Sequence, residues 1–155
     1  MKQKSYVMVK PGFANSQVVI DEIKRRLTAL GIKIEEEGYI KYDVERARKH
    51  YAQHLSKKWY PELEQYITSD KAYGMKVSGD DAIEKIRAIA GSASDPQPGS
   101  IRYDIPEMLG VKKDMTANVI HSSDSEKAAE TELAIFEEIK LEQENSSSAE
   151  SSMMM

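Results

Sequence analysis

The sequence predicts an α+β fold: a ferredoxin-like sandwich with a four-stranded antiparallel sheet and helices packed on it. Three observations predict it. Apolar runs and helical periods follow one another as β-α-β-(α-α)-β-α-β-α. That order holds two β-α-β passes with uneven connections, which suits antiparallel strands with helices on one face; a doubly wound parallel sheet is the alternative. The chain has 155 residues, 40% hydrophobic and 31% charged, which is the size and balance of one soluble domain.

The elements follow in order. Tyr6-Val7-Met8-Val9 is an apolar strand stopped by Lys10-Pro11-Gly12. Val19, Ile23, Leu27 and Leu30 recur at helical spacing, with Asn15 or Ser16 to cap the start and Gly31 at the C′ position. Residues 32–42 are rich in β-branched and aromatic side chains and read as a strand, with a bulge expected at Gly38. Asp43 opens a polar helix to about Gln53, and a second short helix covers Pro61–Ile67. Ala72–Val77 is a third strand. Asp80 is the expected cap of a helix carrying Ile83, Ile86 and Ala90, which Gly91 ends. Residues 92–116 form a long connection rich in Ser, Pro, Asp and Gly, too long to be idle in a small domain. Asn118-Val119-Ile120 is a short fourth strand, and Ser123 or Asp124 caps a last helix bearing Ala129, Leu133 and Phe136. The domain is expected to span 1–143. From 144 to 155 the chain is serine-rich, without a strand or helical period, and is expected to be a disordered tail whose terminal Met run could make a weak apolar contact.

Composition excludes several chemistries. There is no cysteine, hence no disulfide, no Cys-ligated zinc, no iron–sulfur cluster and no thiol nucleophile. Three histidines leave few candidates for imidazole chemistry. The formal charge is −4, and Glu144 and Glu150 carry two of those charges, so the 1–143 segment holds −2. With no basic stripe interleaved with aromatics, neither nucleic acid nor an anionic membrane is an expected partner. No apolar stretch approaches a membrane span, and Met1–Ser5 has no signal-peptide core; the cytoplasm is the expected compartment.

The segment around His121 carries the most chemistry. His121 stands where a strand gives way to a helix, and Ser123 and Glu126 have capping-box spacing. Glu132 follows about two helical turns into that helix, so its carboxylate could reach back to the imidazole. A carboxylate on one ring nitrogen fixes the tautomer and makes the other nitrogen the nucleophile. The plainer alternative is a hydrogen-bonded histidine beside a capping serine. Lys10 ends the first strand, where it could hold an anion or simply be solvated. Arg102 follows the Pro98-Gly99 turn, which would aim it from a defined loop; Arg87 could be a surface arginine. His50 and His54 are four apart and could pair on a metal, but with no third ligand evident they read better as a solvated helix face.

Taken together, Tyr6–Gly12, His50-Tyr51, Pro98–Asp104 and Asn118–Ser125 with Glu132 beyond resemble the nucleoside diphosphate kinase family, in that family's order and over roughly residues 4–137. The resemblance implies a ferredoxin-like core. It also implies transfer of the terminal phosphoryl group from a nucleoside triphosphate, typically ATP, to a nucleoside diphosphate, by a ping-pong route through a phosphohistidine. His121 matches the nucleophile, and Glu132 and Ser123 the residues that orient it. Lys10, Arg87 and Arg102 match phosphate contacts, Tyr51 a hydroxyl donor beside the transferred group, and Asn118 a ribose contact. Trp59 matches an aromatic ring that stacks on the base, a contact indifferent to base identity. The chain departs from the family at Gly12, which directly follows Pro11, and at Tyr103 and Ser122, where glycines are usual. Ala93 falls on a usual phosphate-binding threonine, and Ser94 could supply that hydroxyl instead. The family implies Mg²⁺ held mainly by nucleotide phosphates, with no dedicated protein metal site. It also implies a homo-oligomer, hexamer or tetramer, and an inserted stretch near Ile105–Thr116 falls where subunits often meet. The altered loops leave one alternative: a nucleotide-binding regulatory or scaffold protein of the same fold with little turnover.

Overall fold

The computed structural model describes residues 2–154, with side chains described as far as Ser146. Its elements are β1 (Lys2–Val9), α1 (Gln17–Ala29), β2 (Lys33–Ile40), α2 (Val44–His50), α3 (Tyr60–Ile67), β3 (Ala72–Asp80), α4 (Ala82–Ala90), α5 (Ile101–Leu109), β4 (Ile120–Ser122) and α6 (Glu126–Met154). The strands form one sheet in the order β2-β3-β1-β4, and every neighbouring pair is antiparallel. The expected α+β architecture with a four-stranded antiparallel sheet is therefore present.

The helices, however, cover both faces of the sheet rather than one. Val7 and Val9 of β1 pack with Val19, Ile20, Ile23 and Ile86 from α1 and α4. Tyr6 and Met8 point the other way and pack with Ile40, Tyr42, Leu63 and Phe136. Side chains alternate across a strand, so a central strand with helices on both faces must be apolar at every position. Tyr6-Val7-Met8-Val9 meets that demand, and all four are fully buried.

Gly74 sets how closely α6 approaches. A Cβ there would lie 2.7 Å from Phe136 Cε1 and 2.8 Å from Phe136 Cδ1. The missing side chain lets Phe136 lie on the sheet, and burying such a ring contributes roughly 1.5–3 kcal/mol.

Local signals hold in part. Ser16 caps α1 by accepting from Val19 N–H, and Asp43 caps α2 by accepting from Arg46 N–H. At α4 the cap position is Asp81, while Asp80 closes β3; the side chain of Gln3 accepts from Ile83 N–H at 3.2 Å. The β2 bulge lies between Ile34 and Glu36, not at Gly38, which pairs in register with Gly74. The 92–116 connection contains a helix that the sequence hid. Ser100 caps α5 by accepting from Tyr103 N–H, and Pro106 inside it is the residue that reads as a breaker. At the other end of the chain, the expected tail begins inside α6, whose backbone continues through Met154. Extending an existing helix adds one hydrogen bond per residue fixed, so composition alone does not stop it. Its last described anchor to the sheet is Gln143, which donates to Tyr39 O at 3.0 Å. The Met153–Met155 side chains lie outside the described residues.

Candidate active site

Register sets which way the His121 side chain points. His121 pairs with Met8 across the β1–β4 ladder, so it shares the face that Tyr6 and Met8 present to α2 and α6. It lies inside β4 rather than at its end. On α6, Glu132 stands three residues after Ala129 and four before Phe136, both buried, which turns its carboxylate to the same face. His121 Nε2 lies 2.9 Å from Glu132 Oε1. Ser123 donates to that same oxygen at 2.8 Å and accepts from Tyr6 N–H at 3.0 Å. Ser123 is thus a clamp between β1 and Glu132, not a helix cap; Ser125 takes the capping role by accepting from Ala128 N–H.

The carboxylate fixes the ring's tautomer. With Glu132 accepting, His121 carries its proton on Nε2 and its lone pair on Nδ1. Nδ1 makes no hydrogen bond among the described residues. Burial pushes the His121 pKa down to about 3, with Lys10 and then Arg102 adding to the shift. The ring is therefore neutral at physiological pH. Burial pushes the Glu132 carboxyl the opposite way, upward.

His50 is part of this cluster, against the expectation of a solvated helix face. It is buried, with Nδ1 3.0 Å from Tyr42 Oη and Nε2 3.1 Å from His121 Nε2. Tyr42 Oη in turn lies 2.9 Å from Tyr6 Oη. His54 does not join it; the His54 ring sits 5.1 Å from Trp59.

A cleft of about 220 Å³ opens over the cluster, lined by His50, Tyr51, Arg87, Arg102, His121 and Asp124 among others. Tyr51 Oη is buried there without a hydrogen-bond partner. A buried hydroxyl left unpaired costs about 1–3 kcal/mol. Arg102 is carried by the first turn of α5, not by a loop. It donates to Gly91 O at 2.7 Å, Ile120 O at 2.8 Å and Asn118 O at 3.3 Å, tying the end of α4 to the start of β4. Lys10 is buried at 6% exposure and donates to Asn118 Oδ1 at 2.6 Å and Thr116 O at 3.3 Å. Burial and the nearby Arg102 push its pKa down to about 7.

The sequence matches the family profile described as Nucleoside diphosphate kinase over residues 3–140. The nucleoside diphosphate kinase of Metallosphaera sedula is 39% identical over 137 residues, covering 86% of this chain and 92% of that one. That of Listeria monocytogenes is 36% identical over 136 residues, covering 86% and 88%. Among solved structures, a halophilic nucleoside diphosphate kinase from Halobacterium salinarum in complex with CDP superposes with a TM-score of 0.77. It is 34% identical and covers 88% of each chain. The chain belongs to the nucleoside diphosphate kinase family. It is a nucleotide phosphotransferase, and the binding-only alternative is not favoured.

The remaining positions matched to the family lie around the cleft. Arg87 is exposed on its wall. Trp59 is 48% exposed, beside His54, which itself lines the cleft. Ser94, Asn118 and Arg102 line a second, smaller hollow of about 80 Å³ together with Ala93 and Met115. Arg102 lines both hollows. The residues missed by sequence reasoning are His50, Tyr42 and Tyr6. One signal for His50 was present: it stands three residues after Ala47, on the apolar face of α2.

Proposed function

We propose that this chain moves the terminal phosphoryl group of a nucleoside triphosphate to a nucleoside diphosphate through a phosphohistidine at His121 Nδ1. The observation that carries this is the His121–Glu132–Ser123 arrangement, which leaves Nδ1 as the ring's only lone pair. In the first half-reaction the Nδ1 lone pair forms the N–P bond while the bond from phosphorus to the bridging oxygen breaks. The electron pair leaves on the diphosphate. The ring's positive charge is met by Glu132 through Nε2–H. The second half-reaction reverses these steps with another diphosphate. Tyr51 donates to the phosphoryl oxygens from its unpartnered hydroxyl. Lys10, Arg87 and Arg102 offset phosphate charge. Asn118 meets the ribose and Ser94 a phosphate oxygen, while Trp59 stacks on the base.

Mg²⁺ fits this site as a passenger of the nucleotide. Asp124 and Glu132 are carboxylates on the cleft wall, and Glu132 is committed to His121 and Ser123. At most one carboxylate is left for an ion that normally takes one or two plus substrate phosphates. When bound, it neutralises phosphate charge. The catalytic unit in this reading is 1–143, with 144–155 an appendage, and the compartment is the cytoplasm. No described helix is long and apolar enough to cross a membrane. Met108, Leu109, Val111 and Met115 are 41–66% exposed around the inserted stretch, which supports self-association into a homo-oligomer, hexamer or tetramer.

The test is a chase. Labelled ATP with Mg²⁺ should give an acid-labile, base-stable phosphoenzyme that GDP discharges, and His121→Ala should form none. Full transfer by His121→Ala would refute the reading.

A further inference from the structure

The same cluster that orients His121 has the donor set of a transition-metal site. His50 Nε2, His121 Nε2 and a Glu132 carboxylate oxygen all lie within 4.8 Å of one another. The two ring nitrogens are 3.1 Å apart, His121 Nε2 to Glu132 Oε1 is 2.9 Å, and His50 Nε2 to Glu132 Oε2 is 3.7 Å. A tetrahedral ion with bonds of about 2.0–2.1 Å needs donor atoms about 3.3 Å apart. The two edges at His121 Nε2 fall slightly under that spacing, and the third runs to the other carboxylate oxygen, Oε2, so a rotation of the Glu132 carboxylate would present one oxygen to both nitrogens. His50 and Glu132 are buried, and all three residues line the cleft, which leaves a fourth position open to it.

A second observation concerns His50 alone. A ligating imidazole must present a lone pair, and its other nitrogen is normally held by an outer partner. Tyr42 Oη sits 3.0 Å from His50 Nδ1, and Tyr6 Oη sits 2.9 Å beyond it. With Nδ1–H donating to Tyr42, and Tyr42 donating to Tyr6, the His50 Nε2 lone pair is aimed at the cluster. Glu132 and Ser123 already hold the His121 ring, so the His50 lone pair is a second acceptor at His121 Nε2 beyond the one that fixes the tautomer.

We propose that His50 Nε2, His121 Nε2 and Glu132 bind a borderline transition-metal ion, with Zn²⁺ as the type, and that the bound ion switches phosphoryl transfer off. Two imidazoles and one carboxylate suit Zn²⁺ and disfavour Mg²⁺, which prefers oxygen ligands in an octahedron. The switch is a tautomer change. In the free enzyme the single ring proton of His121 sits on Nε2. Metal takes the Nε2 lone pair, and the proton moves through water to Nδ1. The ring stays neutral and no oxidant or reductant is involved. Nδ1–H has no lone pair with which to attack phosphorus. The off-switch rests on His121 being the phosphoryl acceptor; the binding site does not.

The probe is Co²⁺, added to the metal-free full chain without Mg²⁺ or nucleotide. One ion per chain should give the intense visible bands of tetrahedral coordination, and Zn²⁺ should bleach them. Tyr42→Phe, nearly isosteric, should weaken binding by about 10–100-fold through loss of the outer partner. His50→Gln should abolish the bands, and His54→Gln, outside the cluster, should keep them. Long-range ¹H–¹⁵N spectra should place the His121 proton on Nε2 without metal and on Nδ1 with Zn²⁺. With Mg-ATP in excess, micromolar Zn²⁺ should slow phosphoenzyme formation, and a chelator should restore it. Weak octahedral Co²⁺ spectra, or bands that survive His50→Gln, would overturn the site. Tight, His50-dependent binding with an unchanged phosphoenzyme rate would overturn the switch. Transfer activity in His121→Ala would instead strike the reading of His121 as acceptor and leave the Co²⁺ result standing.

Discussion

Nucleotide binding should take up a proton at Lys10, and the uptake should grow with pH. Lys10 is buried at the end of β1 with Asn118 Oδ1 and Thr116 O as its acceptors, and its pKa is lowered from 10.5 to about 7 by burial and by Arg102. A polyphosphate in the cleft offsets both causes, because opposite charge favours the ammonium. With the bound value back near its ordinary range, the uptake is about 0.1 proton at pH 6 and about 0.9 at pH 8. Affinity should then fall by up to about tenfold per pH unit above 7, by linkage. The assay is titration calorimetry of Mg-ADP in buffers of differing ionisation enthalpy. The slope of observed heat against buffer heat counts protons. Lys10→Met serves as the reference, because it removes this proton and leaves those of the nucleotide itself. His50 and His121, both pushed down to about 3 in the free chain, would also rise beside a polyphosphate, and the Lys10→Met reference subtracts that contribution. Equal slopes for wild type and Lys10→Met at pH 8 would refute the argument.

Three further outcomes follow from the same geometry. Between pH 7 and 10.5 the unfolded chain binds more protons at Lys10 than the fold does, so this residue's cost is full below pH 7 and relieved as pH rises. Lys10→Met should thus be the more stable protein at pH 6, by on the order of 2 kcal/mol once the lost Asn118 bond is allowed for, as read by urea midpoints, while transferring no phosphoryl group. Ser123→Ala leaves Tyr6 N–H and Glu132 Oε1 short of a partner; we expect a loss of about 1–3 kcal/mol in urea unfolding and a fall in kcat with little change in KM. Gly74→Ala drives a methyl into Phe136, which should cost about 1–3 kcal/mol in thermal unfolding and lower kcat as α6 carries Glu132 away from His121.

Much of this architecture was legible because its signals are local. Ser16, Asp43 and Gly31 punctuate helices within a few residues of where they act. The apolar run Tyr6–Val9 announces a doubly covered strand without revealing what covers it. α5 was not legible, because Pro106 and the Pro-Gly start outweigh nine residues of weak apolar pattern. The Glu35 region of β2 hid its bulge, since no glycine marks it and the irregularity arises from pairing with β3.

The site divides along the same line. His121, Ser123 and Glu132 lie within twelve residues, and one strand-to-helix passage brings them together, so spacing alone suggested their contact. What spacing could not supply was the role of Ser123. A serine three residues before α6 looks like a cap, and only the β1–β4 register puts its hydroxyl between Tyr6 N–H and Glu132. His50 is the stronger case. It reaches the cluster from the end of α2, seventy-one residues from His121 in sequence. In sequence its nearest chemical neighbour is His54, one helical turn on, and that pairing is the wrong one. The contact that exists is made because α2 and α6 pack on the same face of the sheet, over Tyr6 and Met8. Both helices are needed on that face to bury Phe136 and Ala47, and that burial, not any property of imidazole, is what sets two histidines and a carboxylate against one another. A change in α2 packing that leaves every cleft residue intact should therefore alter the His50–His121 spacing, and with it the metal affinity, before it alters the His121–Glu132 contact, which β4 and α6 hold independently.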